Sequence, residues 1–574
     1  MHNLSNIMRI LLSILAISSL LLLLLSSTTT TNKAIITKKI HNVVSKSSPL
    51  HVHDENLQVA HSNCEGTLYP ELCISTLASL FPGTSLKRKS IAELISGIIN
   101  HTVDIVKISA SNCTGIKNKF GSEIDTRENR ALDDCLELFE DTILDLSDAL
   151  SDLQSRNTSA KRYHHLQTLF SASMTNQFTC LDGFFYSKGK IRKQIEKRLY
   201  RISQLVSNSL VMLEKIPKEQ KKTDQQVFPE YGEMVDGFPR WVTRKDRRLL
   251  QASTNATAMS ADLVVAKDGS GNFTTISEAV EAAPKSSTKR FVIYIKEGGY
   301  FENVEVVKKK TMLMFIGDGI GKTVVKAHRN VVDGWTTFRS ATVAVMGKGF
   351  IARDMTFENS AGPSKHQAVA LRSGADLSAF YRCSFVGYQD TLYAHSLRQF
   401  YKECDVYGTV DFVFGNAAVV LQDSNLYARK PNPNQKNIFT AQGREDPNQN
   451  TGISILNCKV TAAADLIPFK SEFQTYLGRP WRQYSRTVYL NSLIDDVVDP
   501  RGWLEWDGDF ALSTLYYGEY MNRGPGANTI SRVNWPGYRV INSSMEANQF
   551  TAESFIQVSD WLPSDNIPFY SGLN

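Results

Sequence analysis

Two aspartates, Asp390 and Asp411, hold the same place in consecutive copies of a short pattern. Cys383, Phe385, Gly387 and Asp390 return as Cys404, Val406, Gly408 and Asp411, each 21 residues on, and Phe380-Tyr381 is echoed 20 residues on at Phe400-Tyr401. If the copies stack, the two carboxyl groups lie side by side. Neighbouring carboxylates resist ionising together, so one keeps its proton toward neutral pH while the other stays charged. One residue type then supplies an acid together with a base or nucleophile. Equivalent turn aspartates would give the same spacing with no chemistry, because Asp is common in turns.

The elements that must carry such a pair are strands. After residue 260, runs such as Phe291–Ile295, Thr342–Val345 and Thr487–Leu490 alternate with Gly, Asn and Asp turns. A repeat of about 20–25 residues in a strand-rich chain predicts a parallel β-helix with one coil per repeat. Equivalent residues then stack about 4.8 Å apart. The first half has a different period. Ile91, Leu94, Ile95, Ile98 and Ile99, extended by Val103 and Val106, make one helical stripe; Leu132, Cys135, Leu136, Phe139, Ile143 and Leu146 make a second; Ile195–Ile216 reads as a third long amphipathic helix. The fold class expected is an all-α four-helix bundle followed by an all-β right-handed parallel β-helix.

At 574 residues, with 42% hydrophobic and 21% charged residues, the chain has room for two cores. Residues 1–250 hold 32 Lys+Arg against 26 Asp+Glu, and residues 251–574 hold 32 against 32, so the whole net charge of +6 lies in the first half. A neutral second half argues against a nucleic-acid binder. Ile10–Leu25 is an apolar run behind a single Arg9, short for a membrane span and suited to a signal peptide, with an uncleaved anchor as the alternative. Sequons at Asn100, Asn112, Asn157, Asn255, Asn272 and Asn542 fit a secreted chain. So do eight cysteines, five in the first half and three in the second. Residues 217–250 are polar and irregular and end in Arg247-Arg248-Leu249-Leu250, a dibasic candidate for proteolytic processing. The expected layout is a signal peptide or anchor over 1–31, a helical pro-domain over 60–216, a linker over 217–250 and a β-helical domain over 251–574.

Five segments of the second half, in order, closely resemble the pectin methylesterase (pectinesterase) family: Gly298–Glu302, Gln367–Leu371, Gly387–Tyr393 around Asp390, Asp411–Ala417, and Leu477-Gly-Arg-Pro-Trp481. The first half resembles the pectin methylesterase inhibitor domain through Ala131–Leu138 and Thr175–Gly183. Together they resemble the plant-type proenzymes, in which Arg247–Leu250 corresponds to the maturation site. Within the inhibitor resemblance, Cys64 with Cys73 looks like a hairpin disulfide, and Cys135 with Cys180 like an inter-helix one.

The resemblance implies hydrolysis of methyl esters of cell-wall polygalacturonate, with release of methanol. Asp411 attacks the ester carbonyl, and Asp390 protonates methanol and then activates water. Gln367 and Gln389 stabilise the oxyanion, and Arg479 pairs with Asp411. Thr337, Gln367, Arg479 and Trp481 contact substrate. No cofactor or metal is implied. The implied partners are methylesterified homogalacturonan, the chain's own pro-domain or separate inhibitor proteins, and a processing protease; the implied location is the cell wall. Glu302 reads as structural. His366 and His395 support no triad. Pectate lyases share the β-helix but need a carboxylate cluster for calcium, whereas this pair sits among glutamines. The chain departs from the family at Ser424, where relatives carry the cysteine that partners Cys404, leaving Cys404 either free or paired with Cys383. The positive first half is expected to be drawn to anionic pectin or to an acidic face of the second.

Overall fold

The computed structural model describes residues 50–216 except 83, 122–123, 155–159 and 188, the short strands Met234–Val235 and Phe238–Pro239, and residues 261–573 except 563–566. The expected signal segment and Arg247, Arg248, Leu249 and Leu250 lie outside the described residues. No helix among the described residues is long and apolar enough to cross a membrane.

Among the described residues, six helices precede the strands: α1 (Leu50–Cys64), α2 (Pro70–Leu80), α3 (Ile91–Phe120), α4 (Thr126–Gln154), α5 (Ala160–Asp182) and α6 (Ile191–Leu213). The chain divides into two compact units. The smaller comprises residues 1–63 and 74–90, where Asn56 ties the chain by donating to the Thr84 carbonyl and accepting from the Leu86 amide, both at 2.8 Å. The larger holds residues 64–73 and 91–574. In it, the first expected stripe is buried from Leu94 to Val106 along α3, and Leu132, Cys135, Leu138, Phe139 and Leu146 are buried along α4. Disulfides join Cys64 to Cys73 and Cys135 to Cys180, with Cα atoms 5.8 Å and 4.6 Å apart.

Helix α5, not among the stripes singled out above, buries Leu166, Leu169, Phe170, Met174 and Leu181. It also buries Thr168, Ser171, Ser173, Thr175, Asn176, Gln177 and Thr179. A helix with a buried polar face must face polar partners, and those belong to the site below.

From Leu263 onward every strand pairing is parallel, and the strands stack coil upon coil into a parallel β-helix. Seven strands form one face: β1 (Val304–Val306), β2 (Val343–Val345), β3 (Leu371–Ser373), β4 (Leu392–Ala394), β5 (Val413–Gly415), β6 (Asn437–Gln442) and β7 (Thr475–Gly478). The 21-residue repeat is the coil register, since Phe385 pairs with Val406 and Leu392 with Val413. The echo at 20 residues is one position out of register: Phe380 stacks on Tyr401, ring centroids 4.8 Å apart, and Tyr381 pairs with Lys402. The repeated glycine has a steric reason. A Cβ at Gly408 would stand 2.2 Å from Phe412 Cβ. Inside the coils, Cys383, Cys404 and Cys458 are buried free thiols; the Ser424 hydroxyl accepts from the Cys404 amide, and its own amide donates to Cys458 Sγ at 3.4 Å.

Candidate active site

Asp390 and Asp411 each stand two residues before a strand of this face, β4 and β5, whose first residues are register partners. The coil stacking therefore sets the carboxyl groups side by side. Both have left-handed backbone, φ 63° and 51°, a conformation that Asp tolerates better than most side chains. The Asp390 amide donates to the Val410 carbonyl at 3.0 Å, locking one coil to the next.

Arg479, directly after β7, is anchored by its amide on the Thr440 carbonyl. Its guanidinium grips Asp411 with two bonds, Nε to Oδ1 at 2.8 Å and Nη2 to Oδ2 at 2.6 Å. A fork of this kind fixes both carboxylate oxygens in place. Burial opposes the Arg479 charge, but Asp411 more than restores it and raises its pKa. Asp390 has no such fork. Burial, reinforced by the Asp411 charge and only partly offset by Arg479, pushes its carboxyl well above the ordinary carboxylate range. Two identical side chains thus sit in unlike surroundings, one gripped by a cation and one inclined to keep its proton.

A cavity of about 310 Å³ opens over the pair. Gln367, Gln389, Thr337, Arg479 and Trp481 all line it, so the structure brings every expected catalytic and substrate-contact residue to one place. Trp481 stands edge-on to Phe414, with centroids 5.9 Å apart. The sequence reading missed Trp506, whose ring lies under the Arg479 guanidinium at 4.3 Å. Glu302 lies elsewhere and accepts from the amides of Ile276 and Ser277, capping a short helix. Burial, with the charges of Arg372 and Lys308, depresses the His395 pKa; its ring nitrogens meet Thr179 and Ser396, not an aspartate.

Six other cavity residues, Arg127, Thr179, Asp182, Gly183, Phe185 and Tyr186, come from the helical part. Within the larger unit, Val106, Leu132, Leu138 and Phe139 share an apolar cluster with Ala344, Tyr393, Phe414 and Ala441, on or beside the seven-stranded face. The buried polar face of α5 finds its partners there. Thr179 meets His395 at 2.9 Å, Thr175 accepts from Asn416 at 2.9 Å, and Thr168 accepts from Asn450 at 2.9 Å. Just beyond α5, the Tyr186 hydroxyl accepts from the Gln367 amide at 2.7 Å, and Asp182 pairs with Arg482.

The charge polarity is opposite to that expected from bulk composition. Asp134 accepts from Arg339 Nε at 2.7 Å, Glu137 pairs with Arg339 and lies 3.6 Å from Arg372, and Asp145 accepts from Lys308 at 2.7 Å. In these ion pairs the helices present acids and the β-helix presents bases, while Arg127 and Arg130 of α4 donate to the Val331 and Gly334 carbonyls at 2.7 Å and 2.6 Å. The positive excess of residues 1–250 is a sum over all faces and does not describe the one that docks.

Residues 262–559 match the family described as Pectinesterase, and residues 58–212 match Plant invertase/pectin methylesterase inhibitor. The chain is 54% identical over 493 residues to the probable pectinesterase/pectinesterase inhibitor 39 of Arabidopsis thaliana, covering 84% of this chain and 91% of that one. It is 49% identical to pectinesterase 3 of Citrus sinensis, over 90% of this chain and 88% of that one. Among solved structures, a pectin methylesterase from carrot aligns at 59% identity with a TM-score of 0.54, over 55% of this chain and 98% of that one. The chain therefore belongs to the pectinesterase family of carboxylic ester hydrolases and carries an inhibitor-family domain ahead of its parallel β-helix.

Proposed function

We propose that the chain is a proenzyme that hydrolyses methyl esters of pectin in the cell wall by a two-aspartate route, and that its own helices close the site until they leave. The observation that carries the catalytic reading is the asymmetry of the pair: Arg479 grips both oxygens of Asp411, while Asp390 is buried with a raised pKa. A carboxylate oxygen of Asp411 attacks the carbonyl carbon of a methylated galacturonate, and the negative charge moves to the former carbonyl oxygen. The amides of Gln367 and Gln389 stabilise that oxyanion. As the C–O bond to methanol breaks, Asp390 gives its proton to the leaving oxygen, and an acyl-enzyme anhydride remains on Asp411. Asp390, now a carboxylate, takes a proton from water, which attacks the acyl carbon and restores Asp411. Trp481 and Thr337 position sugar rings at the rim of the cleft.

Closure is supported by Tyr186, which occupies the Gln367 amide that the oxyanion needs, and by Asp182, Gly183 and Phe185 beside it. The test compares the full chain with residues 251–574 on highly methylated pectin. The shorter chain should release methanol fast, without the ultraviolet-absorbing unsaturated ends that a lyase makes. The full chain should be slow. Unsaturated ends without methanol would reject the esterase reading, and equal rates for the two chains would reject closure.

A further inference from the structure

Gly387 stands three residues before Asp390, and Gly408 three residues before Asp411. One residue of the next coil holds the carbonyls of both. The strands Ser378–Val386, Asp405–Gly408, Asn425–Ala428 and Lys459–Ala462 are successive neighbours on a second face of the β-helix, with Val386, Tyr407, Tyr427 and Thr461 in register. Arg429 directly follows the third of them. Its backbone amide donates to the Gly408 carbonyl at 2.7 Å. Its side chain reaches back a further coil, where Nη1 donates to the Gly387 carbonyl at 3.0 Å and Nη2 to the Tyr388 hydroxyl at 2.8 Å. Asp465, just past the fourth strand, aims that guanidinium: Oδ2 accepts from Arg429 Nε at 3.2 Å, and Oδ1 from the Lys430 amide at 3.3 Å.

The turn held in this way carries Gln389 and Asp390. Its later residues are tied by backbone alone, with the Tyr388 carbonyl accepting from Thr409 at 2.9 Å and the Gln389 carbonyl from Ala368 at 3.2 Å. The glycines leave no slack beneath it, because a Cβ at Gly387 or Gly408 would stand 2.7 Å or 2.8 Å from Thr391 Oγ1. Neither Arg429 nor Asp465 lines the cavity, and their side chains are 21% and 40% exposed. An ion pair that exposed adds little stability by itself. The forked bonds to a backbone carbonyl and a hydroxyl are the stronger part of the arrangement. Arg429 also acts on Asp390 through shape and not through charge: burial, Asp411 and Arg479 are what move the Asp390 pKa.

We infer that Arg429 is a positioning residue for the reaction, tying the Asp390 turn to the Asp411 turn and so setting the separation of acid from nucleophile, with Asp465 as its anchor. The inference rests on the two-aspartate reading and adds to it a residue outside the cleft. An acid displaced by a fraction of an ångström misses the departing methanol, although the sugar still binds. The cost then falls on turnover and not on affinity.

The test uses residues 251–574, which correspond in extent to the carrot protein, a solved chain 98% of which aligns with 55% of this one. Arg429→Gln should lower kcat for methanol release by about 10–10²-fold and leave KM within about twofold. Arg429→Lys keeps the charge and the pairing with Asp465 but loses the fork, and should lower kcat by about tenfold. In both variants the turn relaxes, Asp390 gains water and moves away from Asp411, and the limb at which activity falls with rising pH should shift to lower pH. Unchanged melting temperature certifies the fold, and Arg429→Lys carries the test if Arg429→Gln is destabilised. A kcat within about twofold of the unaltered rate, a loss confined to KM, or an unmoved limb overturns the positioning role. Asp390→Asn separates the two readings. If the limb survives that substitution, the two-aspartate route fails and the inference with it; if Asp390→Asn removes the limb and the Arg429 variants leave it in place, only the positioning role fails.

Discussion

At the residue scale, the site works through difference within sameness. Stacked coils deliver two identical carboxyl groups, and Arg479 makes them unequal. The Asp390 carboxyl acts first as an acid, so it must begin protonated, and its raised pKa means that the productive form is lost as pH rises through that value. The acid-dependent limb of kcat for residues 251–574 should therefore fall toward high pH, and Asp390→Asn should remove that limb while lowering turnover by about 10²–10⁴-fold. A limb that survives the substitution would mean that another group supplies the proton. Gln389→Ala should lower kcat by about 10²–10³-fold with little change in KM. A loss confined to KM would make Gln389 a binding residue. The aspartate pair was legible because the 21-residue offset fixes which residues share a position on successive coils, whereas Gln389 and Arg479 were named only through the family resemblance. Trp506 was not, since nothing in a Trp-x-x-Trp spacing tells which ring will lie under an arginine five coils from β2.

At the element scale, legibility followed the chemistry of the buried face. Helices α3, α4 and α6 bury apolar stripes and could be read from periodicity. Helix α5 buries Leu166, Phe170 and Met174 but also serines, threonines and amides that meet polar groups of the β-helix, and such a polar face looks like a solvated one until the partner is seen. Likewise nothing in the apolar period marks the carboxylates of α4 as buried. Burial pushes Asp134 up to about 6 and Asp141 up to about 7, against the opposing pull of Arg339 and Lys308. Relative to free carboxyls near 4, the docked helices hold extra protons between about pH 4 and those values. Docking is thus strongest in acid and weakens as pH rises through about 6 to 7. After a cut within residues 217–250, the helical fragment should co-elute with the β-helical one at about pH 5 and separate at about pH 8. Asp134→Asn with Asp141→Asn should flatten that dependence; retention equal at both pH values in the unaltered protein would refute it.

At the scale of the whole molecule, the interface and the tether are distinct restraints. A linker holds the helices at about millimolar effective concentration, so cutting it removes the tether and leaves the contacts. Cleavage alone should give partial activity that rises on dilution, with full activity only once the helices dissociate. Replacing Arg247 and Arg248 with alanine should leave an uncut, slow form; a variant that still matures to a start near Gln251 would move the processing site elsewhere. The two-part plan was legible because the apolar period changes from helical to strand-like between residues 216 and 263. What the sequence concealed was the fit between the parts, since a summed charge of +6 says nothing about which face meets which. The central claim concerns chemistry at one oxygen, and methanol release from highly methylated pectin by Asp411→Asn in residues 251–574 tests it most directly. With melting temperature unchanged, the rate should fall on the order of 10⁴-fold. Retention of more than about a tenth of the unaltered rate would contradict a nucleophilic Asp411.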